Sequence, residues 1–226
     1  MLWMESQTEI ITKEQKPSLL GMFTSPGEQF ERIKQSPKIW VPLLIVSILY
    51  TIGMTLMALS MDASTLIEQG VPEDQVDLAL GFTKVTVAIT GILTPIIGVL
   101  ISSTIHLIIT KIASSPVTFK QLFSMNTYIM VIGGAGVILN TAIRYAIGGN
   151  PEIYVTSLAG LLNQEKAGIL GSFEVFAIWT MIVTAIGLHK TAQLSKGLAW
   201  TITIVFFLIG IGFALIGSLL QGAPIL

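Results

Sequence analysis

Val85-Thr86-Val87-Ala88-Ile89-Thr90-Gly91-Ile92-Leu93-Thr94-Pro95-Ile96-Ile97-Gly98-Val99-Leu100-Ile101-Ser102-Ser103-Thr104-Ile105-His106-Leu107-Ile108-Ile109-Thr110 contains no Asp, Glu, Lys or Arg. A helix needs about 20 such residues to cross a bilayer, so this stretch is a transmembrane span. Residues 39–61 and 121–143 are runs of the same kind. The run 197–226 is the longest, with its helix placed near 198–220. Residues 167–189 form a fourth span despite Glu174, because Val175 to Leu188 is apolar except for Thr180 and Thr184. The composition agrees: of 226 residues, 52% are hydrophobic and 11% charged, with a mean hydropathy of +0.79. Soluble domains carry about 25% charged residues, so most of this surface does not face water. The fold class is all-α, a polytopic bundle of five transmembrane helices with short amphipathic helices. Residues 1–38 form a polar N-terminal segment and residues 39–226 the transmembrane domain.

Several function classes drop out. A net charge of −1 gives no support to nucleic-acid binding. Cysteine is absent, which excludes disulfides, thiolate metal sites, cysteine nucleophiles and a lipoprotein anchor. Met1-Leu2-Trp3-Met4-Glu5-Ser6 opens no apolar stretch of signal-peptide length, so no cleaved targeting signal is expected. No Gly-x-Ser-x-Gly elbow, His-Glu-x-x-His motif or glutamate pair on one span occurs, and the two histidines lie far apart. The chain is therefore read as a non-enzyme, without metal or cofactor.

Basic residues orient the spans. Lys13, Lys16, Arg32, Lys34, Lys38, Lys111, Lys120, Lys190 and Lys196 fall on one side, and only Lys84, Arg144 and Lys166 on the other. Short cytoplasmic loops hold the excess of Lys and Arg, which puts the N-terminus inside and the C-terminus outside. The outer loops are acidic instead, with Asp62, Glu68, Glu73, Asp74, Asp77, Glu152 and Glu165.

Amphipathic helices are expected outside the spans. Ser25-Pro26-Gly27-Glu28 offers a capping serine, a proline at the first helical position and a glutamate three residues after the cap. Phe30 and Ile33 then share a face. That helix either lies on the inner leaflet, with Arg32, Lys34 and Lys38 near lipid phosphates, or docks on the bundle. In the outer loops, Gly70-Val71-Pro72 separates two short helical stretches. Asn150-Pro151 starts another with an apolar stripe of Ile153, Tyr154, Leu158, Leu161 and Leu162. Thr118 and Gln121 have capping-box spacing ahead of span three.

Polar residues inside the spans are the candidates for function. His106 is either a neutral imidazole bonded to a neighbouring helix or part of a polar pathway. His189, at the end of span four beside Lys190, reads as an interfacial anchor. Asn140 and Arg144 share a face of span three, and Glu174 is a candidate ion-pair partner for Arg144 on the outer side. Pro95, flanked by Gly91 and Gly98, predicts a kink in span two. Gly133-Gly134-Ala135-Gly136 follows no strand and carries no lysine, so close helix packing explains it better than phosphate binding. In span five, Gly210, Gly212, Ala214 and Gly217 give a small-residue face for another helix, internal or on a partner.

The order of three motifs resembles the bacterial Yip-domain proteins, relatives of the Ypt/Rab-interacting membrane proteins. These are Phe23-Thr24-Ser25-Pro26-Gly27-Glu28-Gln29-Phe30-Glu31-Arg32-Ile33 followed by Pro37 and Trp40-Val41-Pro42-Leu43; Phe119-Lys120-Gln121-Leu122-Phe123; and Phe176-Ala177-Ile178-Trp179-Thr180-Met181-Ile182 running to Gly187-Leu188, Lys190 and Ser195-Lys196-Gly197-Leu198-Ala199. The resemblance covers nearly the whole chain. It implies a five-helix bundle with a cytoplasmic N-terminus and a non-catalytic role. Members of the YknW type, which the sequence resembles, look like accessory proteins for ABC exporters of the MacB kind. The Asp-Leu-Tyr-Gly-Pro stretch and Gly-Tyr pair of eukaryotic members are missing, which argues against a GTPase partner. Beyond the bilayer, the expected partner is another membrane complex, an ABC exporter on this resemblance, or a second copy of the chain. The alternative function is a small transporter or channel subunit whose pathway would use His106, Asn140, Arg144 and Glu174.

Overall fold

The computed structural model describes residues 15–68 and 70–220. Met1–Ser6, Lys13 and the chain after Leu220, all read above from sequence, lie outside the described residues. The elements in order are α1 (Gly21–Thr24), α2 (Pro26–Gln35), α3 (Trp40–Ser60), α4 (Ala63–Glu68), α5 (Val76–Ile112), α6 (Phe119–Ile147), α7 (Leu158–Leu161), a 3-10 turn (Ile169–Ser172), α8 (Val175–Lys190) and α9 (Lys196–Leu220). Four of them, α3, α5, α6 and α9, are long and apolar enough to cross a membrane, and α8 is a shorter apolar helix. The architecture is the polytopic helical bundle expected.

Helix α6 is the axis. Of its apolar stretch 67% is buried, against 17% for α5 and for α9. Helices α3 and α5 pack on one side of it and α8 on the other, with α9 outboard against α8. Glycines allow these approaches. Gly133 and Gly134 of α6 lie against the Tyr50 side chain, Gly136 against Phe176, and Gly187 against Met125 and Phe30. The Gly133–Gly136 stretch therefore serves helix packing, as its sequence context implied.

Helix α2 belongs to the bundle. Phe30, Ile33 and the nearby Met22 are fully buried, in one cluster with Leu122, Met125 and Leu188. Burying each such side chain contributes about 2 kcal/mol. Lipid could bury them as well, so the polar contacts decide the matter. Thr191 Oγ1 donates to Phe30 O at 3.2 Å, Gln121 Nε2 donates to Lys34 O at 2.7 Å, and Lys190 Nζ lies 3.2 Å from Glu31. These bonds fix α2 against α6 and α8, which settles docking over the leaflet. The Ser25 cap differs from expectation. Its side chain makes no cap bond and instead accepts from Gln29 Nε2. The capping box at α6 does form, with Gln121 N donating to Thr118 Oγ1 and Thr118 N to Gln121 Oε1.

Other boundaries shift from the sequence reading. Helix α5 begins at Val76, not near 85, and its 37 residues span about 55 Å at 1.5 Å per residue. It outruns the hydrocarbon core and carries Asp77 and Lys84 on its N-terminal extension. It is helical throughout, with Pro95 inside it. Helix α8 begins only at Val175. Residues 167–173 form the 3-10 turn and its flanks, entered through Gly168 at φ +50°. The stripe expected after Asn150 does not become one helix: only Leu158–Leu161 of it is helical, as α7. Asn150 Oδ1 accepts from Glu152 N in a turn, α7 is capped by Ser157, and Leu161 and Leu162 are exposed while Ile153 is buried. A local turn bond outcompetes the helix start there.

Candidate functional site

The polar candidates separate into two groups at opposite ends of the bundle, because α5 and α6 are antiparallel. Near the lysine-rich end, Ser103 and His106 lie one turn apart on α5. Asn126 Nδ2 of α6 donates to Ser103 Oγ at 3.0 Å. The His106 ring meets Phe206 of α9 edge-on, with centroids 6.0 Å apart. His106 Nδ1 is buried and, among the described residues, is the one buried side-chain nitrogen or oxygen without a hydrogen-bond partner. A cavity of about 400 Å³ opens beside it, lined by α5, α8 and α9 residues including Ser102, Thr180, Thr184 and Thr203. Most of these hydroxyls are committed to their own helices: Ser102 donates to Gly98 O, Thr184 to Thr180 O and Thr203 to Ala199 O. Among the described residues no acid or base pairs with the imidazole, and no catalytic arrangement forms there.

At the other end the chain between α6 and α8 folds back over α6. Asn140, fully buried, receives it: Thr156 N donates to Asn140 Oδ1 at 2.9 Å, and Asn140 Nδ2 donates to Thr156 Oγ1 at 2.8 Å and to Gly136 O at 2.9 Å. The Thr156 hydroxyl has a single proton, which goes to Glu174 Oε1 at 2.5 Å. Glu174 Oε2 accepts from Ala177 N at 2.7 Å and caps α8. Arg144 Nε donates instead to Ile153 O at 2.9 Å. So Asn140, Arg144 and Glu174 do come together, but the expected Arg144–Glu174 ion pair does not form. The arginine holds the backbone of the returning loop, and the carboxylate is spent on a cap and a hydroxyl. Burial, and after it the Glu174 carboxylate, pushes the Tyr154 phenol above its ordinary pKa, so it stays neutral. The participation of Thr156 was not read from sequence. Its signal, one hydroxyl in the loop between α6 and α8, is weak by itself.

The small residues of α9 form the third candidate. A Cβ built on Gly210, Gly212 or Gly217 would meet nothing within 4 Å. Among the described residues, nothing packs against these three positions. His189 Nδ1 donates to Leu194 O at 2.8 Å, closing the α8–α9 turn. Among the described residues no group of three His, Cys, Asp or Glu side chains could hold a metal ion.

The bundle thus combines a docked N-terminal helix, glycine-mediated helix packing and a hydrogen-bonded loop between α6 and α8. The Yip1 domain model matches residues 20–219, from the start of α1 nearly to the end of α9. The chain belongs to the Yip1 family. This Yip1-family protein is 34% identical over 216 residues to the membrane protein YknW of Bacillus subtilis (strain 168), covering 93% of this chain and 94% of that one. No solved structure matches it. The family match includes α2, as its burial in the bundle core would suggest.

Proposed function

We propose that the protein is a non-catalytic membrane accessory or assembly subunit that binds a partner complex through α9, with an ABC-type exporter as the partner its family resemblance implies. The observation that supports this is the open space beside Gly210, Gly212 and Gly217; Gly210, Ala214 and Gly217 share one side of the helix and Gly212 lies on the other. Elsewhere in the bundle, Gly53, Gly91, Gly133, Gly134, Gly136 and Gly187 are each filled by a neighbouring helix. Small residues let helix backbones approach within a membrane, and on α9 this capacity is unused within the single chain. Because nothing in the bundle fills that space, larger side chains there leave the fold intact and act on association alone.

The test is affinity purification of the tagged protein in mild detergent, followed by mass spectrometry. Stoichiometric transporter subunits are expected. Overpacking a helix contact costs about 1–3 kcal/mol, so Gly212→Leu with Ala214→Leu lowers recovery about tenfold. Unchanged recovery removes α9 from the interface. Recovery of the chain alone, or only of further copies of itself, removes the exporter.

In this reading residues 1–38 lie in the cytoplasm and the end of the chain outside, following the lysine and arginine bias. A topology reporter fused after Leu226 is expected to read external, and a cytoplasmic signal there would overturn the five-span topology. The transporter reading draws on the cavity beside His106. It has less support, since a pathway would have to join that end to Asn140 and Glu174, whose polar atoms are committed to one another and to Thr156.

A further inference from the structure

At the lysine-rich end the first described residues cross in front of α3 and α6 and enclose a cleft of about 980 Å³. Its rim carries Lys16, Lys38 and Lys120, and no acidic side chain lines it among the described residues. None of the three lysines has an ion-pair partner among those residues. The wall contributed by the chain before α1 is tied down: Tyr128 Oη donates to Pro17 O at 3.2 Å, and Ser18 N donates to Gln29 Oε1 at 2.9 Å. Ser124 Oγ donates to Lys38 O at 2.7 Å and fixes the start of α3 against α6.

Below the rim the lining turns apolar. Pro42, Ile45 and Leu49 continue down α3, and Val131 lies opposite on α6. From Ile39 to Leu49 is ten residues, about 15 Å of helix, and half of the roughly 30 Å hydrocarbon core. The cleft is thus cationic at the bilayer surface, apolar beneath, and one leaflet deep. A soluble anion would use only the rim. A transmembrane helix would need the full thickness. We propose that it seats one anionic phospholipid of the leaflet at this end, with the phosphate among the three lysines and an acyl chain along Pro42, Ile45 and Leu49. This site is separate from the α9 face, and the two can fail independently.

Trp40 stands in the cleft wall and is 82% exposed, so its fluorescence reports the occupant. The full chain is reconstituted in phosphatidylcholine vesicles containing phosphatidylglycerol, with one lipid or the other brominated on its acyl chains. The signal read is the emission that Trp40→Phe removes. Brominated phosphatidylglycerol is expected to quench it well beyond brominated phosphatidylcholine at equal mole fraction. A lysine near an anionic surface is worth about 1 kcal/mol, so Lys38→Gln and Lys120→Gln each lower that preference about fivefold. Lys34→Gln and Lys196→Gln, which do not line the cleft, leave it unchanged. Equal quenching by the two lipids overturns the proposal. So does a preference that survives the Lys38/Lys120 double change, or one that Lys34→Gln and Lys196→Gln reduce as much, which would mark diffuse surface attraction.

Discussion

Gly91→Ala is expected to lower the stability of the bundle by about 3 kcal/mol, a large effect for one methyl group on a lipid-embedded helix. The new Cβ would stand 2.6 Å from Thr51 Cα, 2.9 Å from Tyr50 O and 3.0 Å from Thr51 N. All three are backbone atoms, so no side-chain rotation relieves the clash. Helices α3 and α5 would have to separate. Helix α3 cannot move freely, because the Tyr50 ring is held on its other side by Gly133 and Gly134, and Gly53 lies against Val137. For a chain of this size 3 kcal/mol corresponds to roughly 10 °C in the unfolding midpoint, readable by thermal unfolding in detergent. Gly210→Ala is the control. Its Cβ meets open space, and alanine is the better helix former by about 1 kcal/mol, so its midpoint stays or rises. A Gly91→Ala midpoint within a degree of the unchanged protein would refute the close α3–α5 crossing.

The contrast between those two glycines shows what sequence can and cannot convey. Both sit in long charge-free runs, and hydropathy assigned both runs to the membrane. The Gly133–Gly136 cluster announced packing by its density. Gly91 read only as a flank of Pro95, because the partner backbone at Tyr50 and Thr51 is forty residues away in the chain. Helix α2 is similar. The Phe30–Ile33 face was legible as a face, but what it meets depends on Leu122, Met125 and Leu188 from two other helices. The cleft at the lysine-rich end has walls from residues 16–20, 37–49 and 120–131, so no local pattern could reveal it.

Glu174 carries the other large effect, and it turns on which atoms accept. Helix α8 has 16 residues and a length of about 24 Å, short of the roughly 30 Å core. Glu174 at its start is buried, so the first N–H groups of α8 lie where little water reaches, and an unmet donor there is costly. The sequence hid this role, since Ser, Thr, Asp and Asn are the usual caps and a glutamate beside an arginine invites an ion pair. Glu174→Ala removes the cap at Ala177 N, worth about 1 kcal/mol, and a buried bond to a charged group, worth about 1.5–3 kcal/mol. A total loss of about 3 kcal/mol is expected. Glu174→Gln is expected to cost about 1 kcal/mol or less, because the network can rewire. The glutamine oxygen accepts from Ala177 N and its amide donates to Thr156 Oγ1. The freed Thr156 proton then turns to Asn140 Oδ1, which already lies 3.0 Å away. Unfolding in mixed micelles of increasing denaturing detergent separates the two variants. If glutamine proved as damaging as alanine, negative charge rather than acceptor placement would be what position 174 supplies, and the search for a cation facing it would reopen with Arg144.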